Sequence, residues 1–324
     1  MKLRYLKTIL AALFLCFASV STAQNFKFIA LGDMPYNIPE DYVRYERLIQ
    51  RINTQTPAFS IFIGDTKSGS TPCSDEYNLI VEGYFKKFNS PLLYSPGDNE
   101  WTDCHRPSAG AYDPIERLQA LRQKFFQSKF SLGQQKIPLI RQADVDPLFS
   151  KFVENSLWVK NHFLFVNVHI TGSNNNFERD DRSKAEYYER NQANLSWIKY
   201  AFQQALKMNY EGIIFSYQAD MFYSPKQAIE SESGYRETLQ LLSTSAETFK
   251  KPVLLIHGDS HRLVIDQPLK TMDQKYILEN VLRLQVMGAD EVQAVEVQVS
   301  SGQEQPFSFR PLLLRDNMRM PYPK

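Results

Sequence analysis

The chain has no excess of either charge. Its 324 residues include 37 basic and 36 acidic side chains, so the composition lacks the basic excess that drives binding to nucleic acid. It contains no internal repeat and no linker-like segment, and only five histidines are present to serve in proton transfer. A hydrophobic fraction of 43% is enough for a full core, which favours one large globular domain.

A short apolar stretch at the N-terminus predicts export. Three basic residues among the first seven precede the apolar residues 8–20, and small residues up to Ala23 offer a cleavage site. This pattern is typical of a signal peptide over residues 1–23, which leaves a mature domain of residues 24–324 that is periplasmic or secreted. The stretch is short for a membrane span, so we expect no stable span after cleavage. An uncleaved anchor is the main alternative.

Few cysteines remain after the predicted cleavage. The chain has three, and the two in the mature domain are Cys73 and Cys104. An even pair in an exported protein predicts a disulfide, and each cysteine follows a Gly-Asp pair closely enough for the two loops to be neighbours. Two free thiols are the alternative. Cleavage would also remove three of the 37 basic residues and no acidic ones, leaving 34 (37 − 3) basic and 36 acidic residues, a net charge of −2.

Four apolar runs end in the dipeptide Gly-Asp, and the sequence contains no other Gly-Asp pair. Random pairing of the 13 glycines with the aspartates would give about 0.7 pairs, so the repetition indicates a real pattern. Each run is typical of a buried strand, and ligands of an open α/β sheet bind beyond the carboxyl ends of its strands. We therefore expect one site formed by four carboxylates, Asp33, Asp65, Asp98 and Asp259. Clustered carboxylates repel one another unless a cation holds them, which predicts a metal centre; ordinary Gly-Asp turns are the alternative.

Strand and helix patterns alternate along the chain. Apolar runs predict strands over residues 26–31, 59–63, 91–95, 212–215 and 252–257. Helical spacing predicts helices over residues 41–53, 76–89, 114–130, 184–208 and 234–249. Residues 152–159 and 163–170 are expected to form a hairpin, and residues 281–299 alternate like two antiparallel strands with a turn near Gly288. The polar stretch 171–183 is typical of a solvated loop, and the whole pattern predicts a layered α/β (α+β) fold of two sheets with outer helices.

These motifs, in their order, resemble the metallophosphoesterase family, also called calcineurin-like phosphoesterases. The family signature runs Asp-x-His, Gly-Asp, Gly-Asn-His-Glu or Asp, a lone His after a strand, and Gly-His-x-His. The matching segments here are Asp33-Met34-Pro35, Gly64-Asp65, Gly97-Asp98-Asn99-Glu100, Gln218 and Gly258-Asp259-Ser260-His261. The departures, which mark a divergent member, are Pro35, Asp98, Asn99, Gln218 and Asp259. The resemblance covers nearly the whole mature chain and implies a two-sheet β-sandwich flanked by helices.

The family holds two metal ions at its strand ends, and the resemblance implies one or two divalent ions here. By position, the first ion would be held by Asp33, Asp65 and His261. The second ion would be held by oxygen donors alone, namely Asp65, Asp98, Gln218 and Asp259. Oxygen ligands favour hard cations, so we expect Mn²⁺, Mg²⁺ or Ca²⁺ rather than the Fe or Zn common in the family, which stay open as alternatives. A decayed site without metal is the alternative to the whole centre.

The resemblance implies hydrolysis of a phosphate ester or anhydride, on a small phosphorylated substrate, by metal-activated water. The histidine that helps to protonate the leaving group in the family is replaced by Asn99, which can hydrogen-bond a phosphate oxygen but cannot act as an acid. His105, in the same loop as Asp98, is a candidate acid or else a plain surface residue, and Arg106 beside it can grip a phosphate. Asp220 is an alternative metal ligand. Three explanations stay open: a good leaving group, another acid, or no catalysis.

Two functions compete on this sequence. One is an exported phosphoesterase, which the full set of oxygen ligands supports. The other is a catalytically impaired protein that binds a metal and an anionic ligand without turnover, which the loss of the family's catalytic histidine supports. A structural scaffold whose Gly-Asp loops are only turns is a third interpretation, and metal content separates it from the other two.

Overall fold

Two β-sheets lie face to face in the computed structural model of the chain, which describes residues 25–224 and 232–318. The predicted signal peptide, residues 1–23, lies outside the described residues. The strands are β1 Phe26–Leu31, β2 Ser60–Phe62, β3 Leu92–Tyr94, β4 Ile140–Arg141, β5 Ser156–Lys160, β6 Phe163–Asn167, β7 Gly212–Ser216, β8 Val253–His257, β9 Val264–Asp266, β10 Val281–Gln285, β11 Ala294–Val299 and β12 Phe307–Leu312. The helices are α1 Glu40–Gln55, α2 Asp75–Phe85, α3 Pro114–Phe125, α4 Gln142–Val145, α5 Asp181–Lys207 and α6 Arg236–Phe249. Short helical turns lie at Thr102–His105, Pro107–Ala109, Pro147–Phe149, Gly172–Asn175 and Arg315–Asn317.

Each sheet contains a run of adjacent parallel strands. The first sheet has the order β12-β11-β1-β2-β3, in which β1, β2 and β3 are parallel. The second has the order β4-β5-β6-β7-β8-β10-β9, in which β6, β7, β8 and β10 are parallel. Parallel strands place their carboxyl ends at the same edge of a sheet. The loops that follow β1, β2 and β3 therefore open side by side, as do those after β7 and β8.

Aromatic side chains fill the space between the sheets. Phe28 of β1 stacks on Phe59 with 5.3 Å between ring centroids and meets Phe165 of β6 edge to face at 5.4 Å. All three rings are buried, and burial of one such side chain contributes about 1.5–3 kcal/mol. Helices α1, α2 and α3 cover the outer face of the first sheet, and α5 and α6 cover the second. The predicted two-sheet sandwich flanked by helices is confirmed.

The predicted helices and hairpin are present with small differences at their ends. Strands β5 and β6 are antiparallel, with Lys160 paired to Phe163 across a turn at Asn161 and His162. Both turn residues have left-handed φ, 46° at Asn161 and 64° at His162. Within the part of the chain that the structure describes, no helix is long and apolar enough to cross a membrane.

The prediction of an antiparallel pair over residues 281–299 is wrong. Strand β10 lies in the second sheet, where Leu282 is the partner of Leu254 in the parallel strand β8. Strand β11 lies in the first sheet and pairs antiparallel with β1, with Val297 opposite Phe28. Alternation of apolar and polar residues reports that one face of a strand is buried, but it carries no information about the partner strand.

Cys73 and Cys104 form a disulfide, as predicted, between the loops that follow the neighbouring strands β2 and β3. Their sulfur atoms lie 3.5 and 3.7 Å from the carbonyl oxygen of Asn99. The disulfide therefore links the two loops next to the backbone of Asn99.

Candidate metal centre

The four Gly-Asp loops meet at one place. The backbone N–H of Asp259 donates to Oδ1 of Asp33 at 3.0 Å, which joins the loop after β8 to the loop after β1. Asn99, which follows Asp98, donates its backbone N–H to Oδ1 of Asp65 at 3.2 Å and so joins the loops after β3 and β2. The structure thus brings together the aspartates that follow four different strands, three of the first sheet and one of the second.

The backbone is left-handed at three of these aspartates. The φ angle is 54° at Asp33, 55° at Asp65 and 74° at Asp259, a region that Asp tolerates better than most residues do. Such backbone costs about 1–3 kcal/mol per residue and is found in turns and at functional sites. The surrounding fold therefore stabilises positions of these carboxylates that the local chain would not adopt alone.

Three side chains form a donor set suited to a divalent cation. One donor atom each of Asp33, Asp65 and His261 lies within 4.8 Å of the others, and Nε2 of His261 lies 3.7 Å from Oδ1 of Asp33. Asp33 is fully buried, and its Oδ2 has no hydrogen-bond partner among the described residues. A buried carboxylate oxygen without a donor is costly unless a proton or a cation satisfies it. These residues therefore fit a divalent cation.

The electrostatics of the centre favour protons or cations. Burial raises the pKa of Asp33 well above its ordinary value, and the charge of Asp259 raises it further. Burial, followed by the charge of Asp98, likewise raises the pKa of Asp65. Burial and Asp98 raise the pKa of Asp259 to about 8. In the absence of a cation these shifts favour the protonated carboxyl groups, and a bound divalent cation would displace such protons.

The residues predicted for a second ion contact one another. Gln218 is fully buried; its Nε2 donates to Oδ1 of Asp98 at 3.1 Å, and its Oε1 accepts from the backbone N–H of Gly172 at 2.5 Å. The hydroxyl of Ser173 donates to the other oxygen of Asp98 at 2.8 Å. A Cβ atom placed on Gly172 would lie 2.6 Å from Oδ2 of Asp98 and 3.0 Å from Oδ1 of Asp259, so both carboxylates approach the same backbone.

The prediction of a solvated loop over residues 171–183 is wrong at its run of asparagines. Residues 173–176 have consecutive left-handed φ angles of 50°, 48°, 56° and 62°, and Asn175 and Asn176 are buried. The buried guanidinium of Arg190 donates to Oδ1 of Asn175 at 2.6 Å and to its carbonyl oxygen at 3.0 Å. Asn adopts the left-handed conformation more readily than most residues, so the run is suited to this turn, which holds Ser173 against the centre.

Asn99 and Tyr36 hold the carboxylate of Asp65. The Nδ2 group of Asn99 donates to Oδ2 of Asp65 at 2.7 Å and to the hydroxyl of Tyr36 at 2.9 Å. The Tyr36 hydroxyl donates in turn to Oδ2 of Asp65 at 2.7 Å, and its ring meets the His261 ring edge to face at 5.1 Å. Sequence reasoning missed Tyr36; its place three residues after Asp33, in the same loop, was the available signal.

Two cationic side chains lie near the acidic residues, one exposed and one buried. Arg106 bonds Asp103 through Nη2 at 2.7 Å, and a Cβ atom on Gly69 would lie 2.9 Å from its Nη1 and 2.8 Å from Oδ1 of Asn99. The guanidinium therefore lies beside Asn99 while its side chain remains 46% exposed. Lys67, which sequence reasoning also missed, is 2% exposed. Burial lowers the pKa of Lys67, and the surrounding carboxylates oppose that effect.

His105, the predicted candidate acid, lies at the surface. Its Nδ1–H donates to the carbonyl oxygen of Thr102 at 2.8 Å, within the turn Thr102–His105. The hydrogen bonds of the described residues do not join His105 to Asp33, Asp65 or Asp98. The structure therefore places it next to Arg106 in sequence but in contact with its own turn.

Two further buried carboxylates, those of Glu100 and Asp220, accept hydrogen bonds from the loops of the centre. Glu100 accepts hydrogen bonds from the backbone N–H groups of Thr66 at 2.8 Å and Gly97 at 3.2 Å. Asp220, the alternative ligand, donates its backbone N–H to Oδ2 of Asp259 at 2.9 Å. Its own carboxylate accepts from the hydroxyl of Ser260 at 2.5 Å. These contacts position the loops on which the metal-binding candidates lie.

Comparison with known proteins gives structural relatives only. No family model and no curated protein sequence matches the chain. GAP50, described as the anchor in the inner membrane complex of Plasmodium, has a similar structure with a TM-score of 0.50 and 12% identity, over 90% of this chain and 89% of that one. A dimetal phosphatase from Danio rerio gives a TM-score of 0.49 and 12% identity, over 89% of this chain and 99% of that one. A purple acid phosphatase from yellow lupin (Lupinus luteus) seeds gives 0.46 and 11%, over 93% and 57%.

Two stacked sheets, outer helices and acidic motifs at the strand ends define a protein of the metallophosphoesterase fold class. The chain has the calcineurin-like metallophosphoesterase fold, in a divergent form, as the sequence resemblance predicted. Identities of 11–12% concern the fold alone. The chemistry has to be argued from the residues of the centre.

Proposed function

We propose that the protein is an exported, metal-dependent phosphoesterase that hydrolyses a small phosphate ester or anhydride. The observation that carries the proposal is the group formed by Asp33, Asp65 and His261, whose donor atoms lie within 4.8 Å of one another. A divalent cation bound there would supply a Lewis acid for the phosphoryl group and would lower the pKa of a water molecule. Two carboxylates, with further oxygen donors around them, support Mn²⁺ or Mg²⁺ over softer ions.

Groups at the rim provide contacts for an anionic substrate. The guanidinium of Arg106 is anchored by Asp103 at 2.7 Å, and such a group offers paired N–H donors to phosphate oxygens. The ammonium of Lys67 is buried close enough to the acidic residues to interact with them, and it offsets part of the negative charge that would repel a phosphate. Asn99 keeps Asp65 in place through two hydrogen bonds.

The alcohol part of the substrate is proposed to occupy a cavity beside Asp259. This cavity has a volume of about 610 Å³, and its lining includes Ser173, Tyr235, Ser260 and Arg262. Hydroxyl and charged groups predominate among the lining side chains. Such a lining favours a hydrophilic alcohol over an apolar one, because each buried polar group needs a hydrogen-bond partner.

A protein that binds a metal and an anion without turnover is the second candidate. Both hydrogens of the Asn99 amide are directed at Asp65 and Tyr36, so the residue at the position of the family's catalytic histidine supplies no proton. His105 is exposed and bonded to Thr102. Turnover without an acid then requires a substrate with a good leaving group.

Hydrolysis of p-nitrophenyl phosphate and bis(p-nitrophenyl) phosphate tests the proposal. Metal-free protein is assayed after Mn²⁺, Mg²⁺, Ca²⁺ or Zn²⁺ is restored separately. We expect turnover with Mn²⁺ or Mg²⁺, its loss in Asp65→Asn, and its retention in Asp316→Asn, which changes an exposed aspartate in the turn Arg315–Asn317. Tight binding of an ion without turnover of either ester would favour the second candidate. If the protein neither binds an ion nor turns over either ester, the proposed metal centre is contradicted.

Export is supported by the signal-like N-terminus and by the Cys73–Cys104 disulfide, since such bonds persist mainly in oxidising compartments. Protein recovered from the periplasm or the medium is expected to begin at Gln24 by N-terminal sequencing. Full-length protein that stays in the cytoplasm, with residues 1–23 intact, would contradict this part of the proposal.

A further inference from the structure

The carboxamide of Gln218 has only one orientation that satisfies its neighbours. Its oxygen lies 2.5 Å from the backbone nitrogen of Gly172 and 3.4 Å from Oγ1 of Thr171. A backbone N–H can only donate, so the atom that faces Gly172 has to be an acceptor. The amide nitrogen of Gln218 is therefore directed to the opposite side, where it donates to Oδ1 of Asp98 at 3.1 Å. The whole residue is fully buried.

The segment that orients Gln218 is itself held firmly. The carbonyl oxygen of Thr171 accepts from the hydroxyl of Tyr235 at 3.0 Å, and the following left-handed turn is bonded to the buried Arg190. A side chain on Gly172 would collide with Asp98, so the backbone lies directly against the carboxylate that Gln218 also contacts. Reversal of the carboxamide would set two N–H groups against each other in a buried place, which is costly.

The neighbouring carboxylates already accept hydrogen bonds from the protein. Oδ1 of Asp98 accepts from Gln218 at 3.1 Å, and the hydroxyl of Ser173 lies 2.8 Å from both Oδ2 of Asp98 and Oδ1 of Asp103, to one of which it donates. Oδ2 of Asp259 accepts from the backbone N–H of Asp220 at 2.9 Å. Oδ2 of Asp33, on the other side of the centre, is buried without a partner among the described residues. The two halves of the centre therefore differ in their need for a cation.

We propose that the centre holds a single divalent cation, bound by Asp33, Asp65 and His261, and that the amide nitrogen of Gln218 takes the place of a second ion. This inference rests on the proposed metal centre and specifies its stoichiometry. An N–H group carries a partial positive charge and can stabilise a carboxylate without adding a full charge. In this arrangement Asp98 and Gln218 are not metal ligands; they form a hydrogen-bonded pair beside the bound ion.

The number of bound ions tests the inference. Metal-free protein is dialysed to equilibrium against Mn²⁺, bound manganese is counted by mass spectrometry, and electron paramagnetic resonance distinguishes isolated from spin-coupled ions. We expect one isolated Mn²⁺ per chain in the wild type. In Gln218→Glu, one carboxylate oxygen can still accept from the N–H of Gly172, and the other replaces the amide nitrogen that faces Asp98. Because the N–H donor to Asp98 is then lost, we expect two ions per chain and a spin-coupled signal.

A second variant keeps the test independent of Gln218. Asp98→Asn is expected to bind one Mn²⁺ with an affinity close to that of the wild type, whereas Asp65→Asn is expected to lose about 100-fold or more. Two ions in the wild type, or one ion lost through Asp98→Asn, would overturn the inference and leave the phosphoesterase proposal intact. A single ion in folded Gln218→Glu would also overturn it. No bound ion in any form would overturn the proposed metal centre itself.

Discussion

Gly97 leaves the space that the carboxylate of Asp65 occupies. A Cβ atom on Gly97 would lie 2.0 Å from Oδ1 of Asp65, far inside van der Waals contact. In the same way, a Cβ atom on Gly258 would lie 2.1 Å from Oδ2 of Asp33. The glycine of one Gly-Asp pair thus makes room for the aspartate of another pair. For Gly97 and Gly258, two of the four glycines, the absence of a side chain is therefore required by an aspartate of another pair.

Replacement of Gly97 by alanine is expected to displace Asp65 and weaken Mn²⁺ binding by about 10–100-fold, the usual effect of disturbing the support of a metal ligand. Gly83→Ala is the matched control, because Gly83 lies exposed in α2 with open space around it. Alanine there is expected to raise the free energy of unfolding by about 0.5–1 kcal/mol and leave binding unchanged. Titration calorimetry and urea unfolding measure both effects. Equal Mn²⁺ affinities in the two variants would contradict the packing argument.

The stability of the metal-free protein is expected to fall as the pH rises from 6.5 to 8.5. The pKa of Asp259 is raised from 3.8 to about 8, and those of Asp33 and Asp65 are raised as well, so the folded chain binds more protons than the unfolded chain in this range. The pKa of the buried His257 is lowered from 6.5 to about 4, so this residue reduces the stability of the folded chain only when the pH falls below about 6.5. It therefore does not offset the decrease between pH 6.5 and 8.5. Thermal unfolding in a chelator should show the decrease.

Bound Mn²⁺ is expected to reduce that decrease, because the cation stabilises the ionised carboxylates of Asp33 and Asp65. The rise in Tm on adding Mn²⁺ should therefore be larger at pH 8.5 than at pH 6.5. A metal-free Tm that stays constant over this range would show that the carboxylates of the centre are already ionised or otherwise satisfied.

Loss of the disulfide is expected to cost about 2–4 kcal/mol of the free energy of unfolding, mainly because the unfolded chain gains freedom. The bridge spans a sequence separation of 31 residues. The double variant Cys73→Ser/Cys104→Ser, compared with the wild type with and without reductant, measures the effect by urea unfolding. Reductant should lower the stability of the wild type and leave the double variant unchanged. Equal stability of the oxidised wild type and the variant would be the contrary result.

Arg106→Gln is expected to raise KM for a phosphorylated substrate about tenfold or more, since a hydrogen bond to a charged group contributes about 1.5–3 kcal/mol. The Kd for Mn²⁺ should change little, because Arg106 bonds Asp103 and lies at the rim rather than among the donor atoms. Arg47→Gln, an exposed arginine that bonds the carbonyl oxygen of Asp316, serves as control. An unchanged KM would exclude Arg106 from substrate binding.

Some site residues could be predicted from the sequence and others could not, for a physical reason. Asp33, Asp65 and His261 lie in loops directly after strands, so their place at the sheet edge follows from local pattern. Tyr36 and Lys67 carry no pattern of their own, and their roles arise from contacts with Asp65 and its neighbours. Their closeness in sequence to the Gly-Asp pairs was the sole signal.

The sequence by itself determined that strands end in glycine and aspartate and that these ends share one edge of a two-sheet fold. Strand formation and turn chemistry depend on neighbouring residues, which the sequence displays. The tertiary structure alone decided that β10 and β11 belong to different sheets, because partner choice depends on contacts between distant segments. It also decided the orientation of the Gln218 carboxamide, since the N–H that sets it belongs to Gly172, 46 residues earlier in the chain. The direction of a hydrogen bond between residues so far apart in sequence depends on the tertiary structure.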